Sequence, residues 1–132
     1  MLASQPNADF LELNALADVL LDPIHFGGGN TSYEGLALAT PIVTWPGEFL
    51  RNRITWALYP KMGLADCVVR SADEYIDLAT RLGTDAEFRR AVRDSIRERS
   101  SILFEDLAEV REFEQALTTA HTSGRTTAES RS

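Results

Sequence analysis

Apolar positions along the chain fall into helical stripes separated by short continuous runs. Phe10, Leu13, Leu16 and Ala17 share one helical face, so a helix is expected to open at Asn7 or Asp9 and run to about Ala17. Val19, Leu20 and Leu21 form a brief apolar run, the mark of a strand covered on both faces, here assigned to 18–21. Asn30, Thr31 and Ser32 are residues of N-cap type, and a short, largely apolar helix is expected over about 31–39. Thr40-Pro41 stops it, and 42–44 is the second strand. Trp45-Pro46-Gly47 reads as a turn. A helix with Phe49, Ile54, Trp56, Ala57 and Leu58 is expected to start at Glu48 and end near Pro60. Cys67-Val68-Val69 is the third strand. Ser71 to Glu74 and Thr84 to Glu87 read as capping boxes for helices over about 72–83 and 85–100, with Gly83 closing the first. A last helix, about 106–120, carries Leu107, Val110, Phe113 and Leu117 on one side.

Strands that alternate with helices predict an α/β fold with a three-stranded parallel sheet, right-handed crossovers and C-terminal helices. A nucleotide-binding domain of this kind has about six strands, with its ligand at their carboxyl ends. Residues 1–121 therefore read as about half of a Rossmann-like domain. Residues 122–132 are Ser, Thr, Gly and charge with one Ala, and are expected to be a disordered tail. No internal repeat is visible.

The chemistry concentrates where the first strand meets the second helix. Gly27, Gly28 and Gly29 suit positive φ and a close backbone approach to a ligand. Asn30, Thr31 and Ser32 then offer free N–H groups, hydroxyls and the positive end of a helix dipole, a combination that suits a phosphate. Glu34 lies about one turn on, within reach of a sugar hydroxyl or, equally, a partner for the helix dipole. Gly28, Gly29, Asn30, Thr31, Ser32 and Glu34 are the expected ligand-binding set. Asp22 is open between capping the turn and lining the site, and His25 and Trp45 read as turn or core residues. Gly27-x-Gly29-x-x-Ser32 nearly fits a dinucleotide fingerprint, with Glu48 at the distance of a ribose acid. Ser32 replaces the third small residue, however, and Glu48 follows Pro46-Gly47 rather than a strand. A P-loop is excluded, because no Gly-Lys-Ser/Thr occurs.

These blocks resemble the sugar-nucleotide half of the O-linked N-acetylglucosamine transferase family, which includes the SPINDLY-type proteins. The resemblance is carried in order by Ala-Asp-Val-Leu-Leu-Asp (17–22), Gly-Gly-Gly-Asn-Thr-Ser (27–32), Glu34, Thr-Pro-Ile-Val-Thr (40–44), Pro-Gly-Glu (46–48) and Arg53. It continues through 74–85 and Ser-Ile-Leu-Phe (101–104). The sequence departs from the family pattern at Gly29 and Asn30, where a His or further Thr is frequent. Glu34 replaces the more frequent Asp, and Ala39 stands where Gly is usual. The resemblance implies a GT-B architecture, two Rossmann-like domains facing a cleft, of which this chain is the last half of the second. It implies an inverting, metal-independent transfer of N-acetylglucosamine from UDP-N-acetylglucosamine to Ser or Thr of proteins. No catalytic residue is expected within this segment, and the contacts to base and acceptor are expected upstream of it. Such a fragment is expected to be inactive alone. The alternative is a small α/β module that binds NAD or another phosphate ligand without chemistry of its own.

Composition narrows the partners. The net charge of −7 argues against a nucleic-acid surface. Arg89, Arg90, Arg93, Arg97 and Arg99 alternate with acids and read as a solvated helix face, while Arg53 reads as half of an ion pair. The single Cys67 cannot form an internal disulfide and reads as a small core residue, in keeping with a reducing cytoplasm. No apolar run approaches the ~20 residues of a membrane span, and the N-terminus lacks the basic and apolar regions of a signal peptide.

Overall fold

A computed structural model of the chain describes residues 7–104 and 106–129, with side chains as far as residue 121. Two strands, β1 (Leu20–Leu21) and β2 (Ile42–Val43), pair in parallel with Leu20 opposite Ile42 and Leu21 opposite Val43. Around them lie α1 (Asn7–Leu16), α2 (Asn30–Ala37), α3 (Ile54–Lys61), α4 (Ala72–Thr84), α5 (Ala86–Arg99) and α6 (Leu107–Glu129). Two 3-10 turns, Leu50–Asn52 and Ser100–Leu103, precede α3 and follow α5. The core is built on Leu36, Val43, Tyr59, Cys67, Leu82 and Ile96, all essentially inaccessible to solvent.

The sheet has two strands, not the three expected. Residues 67–69 contribute a single parallel bridge, Thr44 to Val68: Thr44 N–H donates to Cys67 O, and Val69 N–H donates to Thr44 O. The reason is Tyr59. Its buried hydroxyl accepts from Ile42 N–H at 3.0 Å and donates to Ile42 C=O at 2.8 Å. Those are the two groups of β2 that a longer third strand would pair with, and the α3 side chain satisfies both instead. Burial raises the Tyr59 pKa well above its usual value and pushes the neighbouring Cys67 thiol up to about 11, so both stay neutral in the core. Cys67 is thus the small core residue expected.

On the other side β1 is an edge among the described residues. Leu20 and Asp22 donate to Pro41 and Val43, so the backbone groups of Leu21 face away from β2. Helix α2 covers the sheet closely. A Cβ on Gly35 would come within 2.8 Å of Leu20 Cδ1 and 3.1 Å of Ile42 Cδ1, so a side chain there would have to push those two ends aside.

Several boundaries differ from the sequence reading. Helix α2 ends in a Schellman motif: Thr40 N–H donates to Gly35 O and Ala39 N–H to Leu36 O, with Ala39 left-handed at φ 57°. The stop therefore lies in the backbone turn itself, ahead of Pro41, and Ala39 occupies a conformation that favours glycine. Glu48 does not open a helix, since α3 begins at Ile54 after the 3-10 turn. Ser71 caps α4 through Glu74 N–H as expected, but Glu74 returns its bond to Arg70 N–H. Gly83 lies inside α4, and the cap of α5 is Asp85, which accepts from Glu87 and Phe88 N–H. The Asp85 carboxylate takes this place in preference to Thr84, whose hydroxyl donates back to Thr80 O. The expected disordered tail from Thr122 is helical as far as Glu129, because extending an existing helix costs far less than starting one. Residues 130–132, and residues 1–6 of the expected 1–121 unit, lie outside the described residues.

The α1 face is also rotated from expectation. Leu13 and Leu16 are exposed, and Asn14, between half-buried Phe10 and Ala17, is the buried residue. Arg93 holds this helix in place, donating to Ala15 O and Ala39 O. Arg89 pairs with Asp18 at 3.1 Å and donates to Leu82 O. These two arginines staple α5 to neighbouring elements rather than forming part of a solvated face.

Candidate functional site

The turn between β1 and α2 is organised by one buried carboxylate. Asp22 follows β1 directly, and its Oδ1 accepts from Gly28 N–H at 2.7 Å while its Oδ2 accepts from Thr44 Oγ1–H at 2.7 Å. Its own carbonyl accepts from the Tyr75 hydroxyl at 3.0 Å. The carboxylate thereby joins the ends of both strands to the glycine turn. Hydrogen bonds to a charged acceptor are worth about 1.5–3 kcal/mol each. The two roles left open for Asp22 both apply, since it caps the turn and also lines the cavity beside it.

The glycines act through close approach. None of Gly27, Gly28 and Gly29 has positive φ, contrary to expectation. A Cβ on Gly28 would sit 2.3 Å from Ser32 Oγ and 2.8 Å from Thr31 Oγ1, distances that no real side chain tolerates. A second loop is zipped alongside: Gly27 N–H donates to Arg51 O, Arg51 Nε to His25 O, and Asn52 Nδ2 to Ile24 O. His25 contributes only its carbonyl to these contacts and its side chain is exposed, in line with a turn residue.

Gly29 is the N-cap of α2, which makes Asn30, Thr31 and Ser32 its first three residues. Ser32 and Tyr33 N–H donate to Gly29 O. Asn30 and Thr31 precede those bonds, so their N–H groups have no carbonyl within the helix to reach. They stand at the positive end of the helix with the Thr31 hydroxyl exposed beside them. Glu34 is half-buried one turn on. The expected set thus comes together at one helix start, with two members already engaged. Gly28 N–H belongs to Asp22, and Ser32 Oγ shares a hydrogen bond of 2.7 Å with Thr55 Oγ1 on α3.

Beneath this helix start lies a cavity of about 170 Å³ lined by Phe10, Asn14, Asp22, Gly28, Thr31 and Ser32, with Leu20, Leu21, Pro23 and Ile42. Asn14 is only 5% exposed, and its Nδ2 has no hydrogen-bond partner among the described residues. Among the described residues Arg53 does not pair with an acid: it donates to Gly47 O at 2.8 Å and lies over the Trp56 ring at 4.3 Å. Trp45 is half-buried against the core.

Sequence reasoning missed Asn14, Thr44 and Thr55. Thr44 carried a signal, a polar residue ending an apolar strand beside the turn. Asn14 carried none, because the apolar stripe of α1 points to Leu13 and Leu16 as its buried face. Thr55 depends on how α3 packs on α2, which no local pattern reports.

Comparison with known proteins supplies the setting. A family model described as glycosyl transferase family 41 matches residues 4–117. A probable UDP-N-acetylglucosamine–peptide N-acetylglucosaminyltransferase SPINDLY from Hordeum vulgare is 33% identical over 92 residues, 70% of this chain and 10% of that protein. The UDP-N-acetylglucosamine–peptide N-acetylglucosaminyltransferase of Caenorhabditis elegans is 36% identical over 81 residues, 61% of this chain and 7% of its own length. A mutant O-GlcNAc transferase of Thermobaculum terrenum superimposes with a TM-score of 0.78 at 33% identity, covering 88% of this chain and 23% of that one. The chain therefore spans about a tenth of the length of the curated relatives it matches. Its α-rich architecture with a small parallel sheet is that of the O-GlcNAc transferase fold of GT-B type. No helix among the described residues is long and apolar enough to cross a membrane.

Proposed function

The chain belongs to glycosyl transferase family 41, and from that premise we propose that it is the donor-binding segment of a protein O-glycosyltransferase. The donor is UDP-N-acetylglucosamine, the sugar nucleotide in the names of the relatives, and the acceptors are Ser or Thr hydroxyls of cytoplasmic proteins. The observation that carries the reading is the start of α2, where Asn30 and Thr31 present N–H groups beside the Asp22-braced turn. In sugar transfer, negative charge grows on the departing diphosphate. Fixed N–H donors and a helix dipole stabilise that charge without reorganising, and no metal is required for it. Glu34, one turn on, accepts from the ribose hydroxyls. The transfer is inverting, with its catalytic base outside this segment, so the isolated chain binds but does not turn over.

Calorimetric titration of the chain with UDP, GDP and NAD tests the reading. Binding of UDP, with NAD at least tenfold weaker, is the expected result. Preference for NAD would favour a dinucleotide-binding module. Glu34→Gln is expected to weaken UDP more than 2′,3′-dideoxy-UDP, which has no ribose hydroxyls to lose. Equal losses would return Glu34 to a helix-dipole role.

A further inference from the structure

We infer that the groove between α3 and the start of α4 docks a proline-rich segment of a partner protein, one that carries an acidic residue beside its prolines. The groove shares no lining residue with the cavity beneath α2, so the inference stands apart from the donor-binding reading.

The groove has a volume of about 530 Å³. Trp56 and Pro60, one turn apart on the same face of α3, line it together with Pro46, Leu64, Val68 and Val69. Arg53 lies over the Trp56 ring and holds it in place. The free polar groups here are donors: neither the half-buried Trp56 indole N–H nor the Arg70 guanidinium has a partner among the described residues. The backbone beside them does not invite an added strand. Val68 N–H is spent on Ala65 O, Val69 N–H on Thr44 O and Arg70 N–H on Glu74 Oε2, so a strand laid here would find no row of donors. A proline-rich segment suits these conditions. It brings no N–H groups that need acceptors, it arrives already extended, and its exposed carbonyls accept from side-chain donors in an aromatic-lined groove. Charge decides what flanks the prolines. Glu74 lies in the first turn of α4, where Arg70 N–H and the positive end of the helix compensate its carboxylate. The exposed Arg70 side chain has no such compensation, and a carboxylate on the partner supplies it.

The test titrates the chain into a fluorescein-labelled oligoproline peptide that ends in a pair of aspartates, read by anisotropy. The same peptide with alanines for prolines, and with lysines for aspartates, serves as comparison. The parent peptide is expected to bind at least tenfold tighter than the alanine form and at least fivefold tighter than the lysine form. Trp56→Phe keeps a ring but removes the N–H, and should weaken the parent peptide about threefold. Arg70→Glu changes an exposed residue, so the fold is kept, and should turn the preference towards the lysine form. On titration the Trp56 indole resonance should move while that of Trp45 stays in place. Equal binding of the proline and alanine forms, or no binding of any form, would overturn the inference. So would affinity left unchanged by both variants. A Trp56 indole resonance that shifts with protein concentration alone would give the groove to a second copy of the chain and overturn it too. None of these results touches the donor site at α2.

Discussion

The glycine turn and α6 are held to the molecule in opposite ways. The turn is braced by polar contacts from four directions: Asp22 after β1, Thr44 after β2, Arg51 from the neighbouring loop and Thr55 on α3. Helix α6 is tied mainly through Lys61, which pairs with Asp106 at 3.2 Å and with Glu109. Its apolar side is open to water, with Leu107, Val110, Phe113 and Leu117 each more than half exposed. The contacts that brace the turn lie within the described residues, whereas the apolar side of α6 meets no comparable packing there.

Replacing the central brace should produce the largest effect. Asp22→Ala leaves Gly28 N–H and Thr44 Oγ1 without their shared acceptor. Local stability of the turn should fall by about 2–4 kcal/mol, seen as faster amide exchange over residues 27–33. Exchange in that segment unchanged from the parent chain would mean that the loop contacts through Arg51 suffice. A smaller loss is expected from Gly35→Val, which forces α2 off the sheet at Leu20 and Ile42 and costs about 1–3 kcal/mol by overpacking. Its signature is weakened exchange protection in α2 and β2 together.

Breaking the other side of the comparison should do little. Leu107→Gln with Phe113→Ser changes exposed residues, so the stability of residues 7–104 should move by less than about 0.5 kcal/mol. A larger loss would show that α6 packs on this chain in solution. The smallest effect concerns pH. Lys61 holds the Asp106 carboxyl below its usual range, so that stabilisation is present above the unfolded carboxyl pKa and is lost as pH falls through the lowered folded value. The Lys61 pKa is raised, chiefly by its hydrogen bond with Glu109, so its share is present below the unfolded Lys value and lost only as pH rises through the folded one. The contact between α3 and α6 should therefore loosen below about pH 4. A nitroxide on Ala108 that keeps broadening α3 resonances at pH 3 would contradict this.

The candidate site was legible because it is local. Strand, glycine turn, cap-type residues and helix follow within one stretch, and each carries its own propensity signal. The placement of Gly28, Thr31 and Glu34 needed nothing from elsewhere. What the sequence did not reveal depends on distant partners. The third strand is reduced to a bridge because Tyr59, on a helix, satisfies Ile42. The buried face of α1 is Asn14's rather than Leu13's because of how Thr40 and Arg93 hold that helix. Ala39 adopts φ 57° to close the Schellman turn, although nothing in its identity announces it.

The central claim is that the start of α2 holds a diphosphate, and Thr31→Ala measured by calorimetry against UDP tests it most directly. Thr31 is exposed at the helix start and braces nothing in the turn, so its loss should leave exchange protection of residues 27–33 intact. Affinity should weaken by about 1–2 kcal/mol, from one hydrogen bond to a charged oxygen, with the amide resonances of Asn30 and Thr31 shifting most on titration of the unmodified chain. Unchanged UDP affinity, with ligand shifts centred away from residues 28–34, would contradict it.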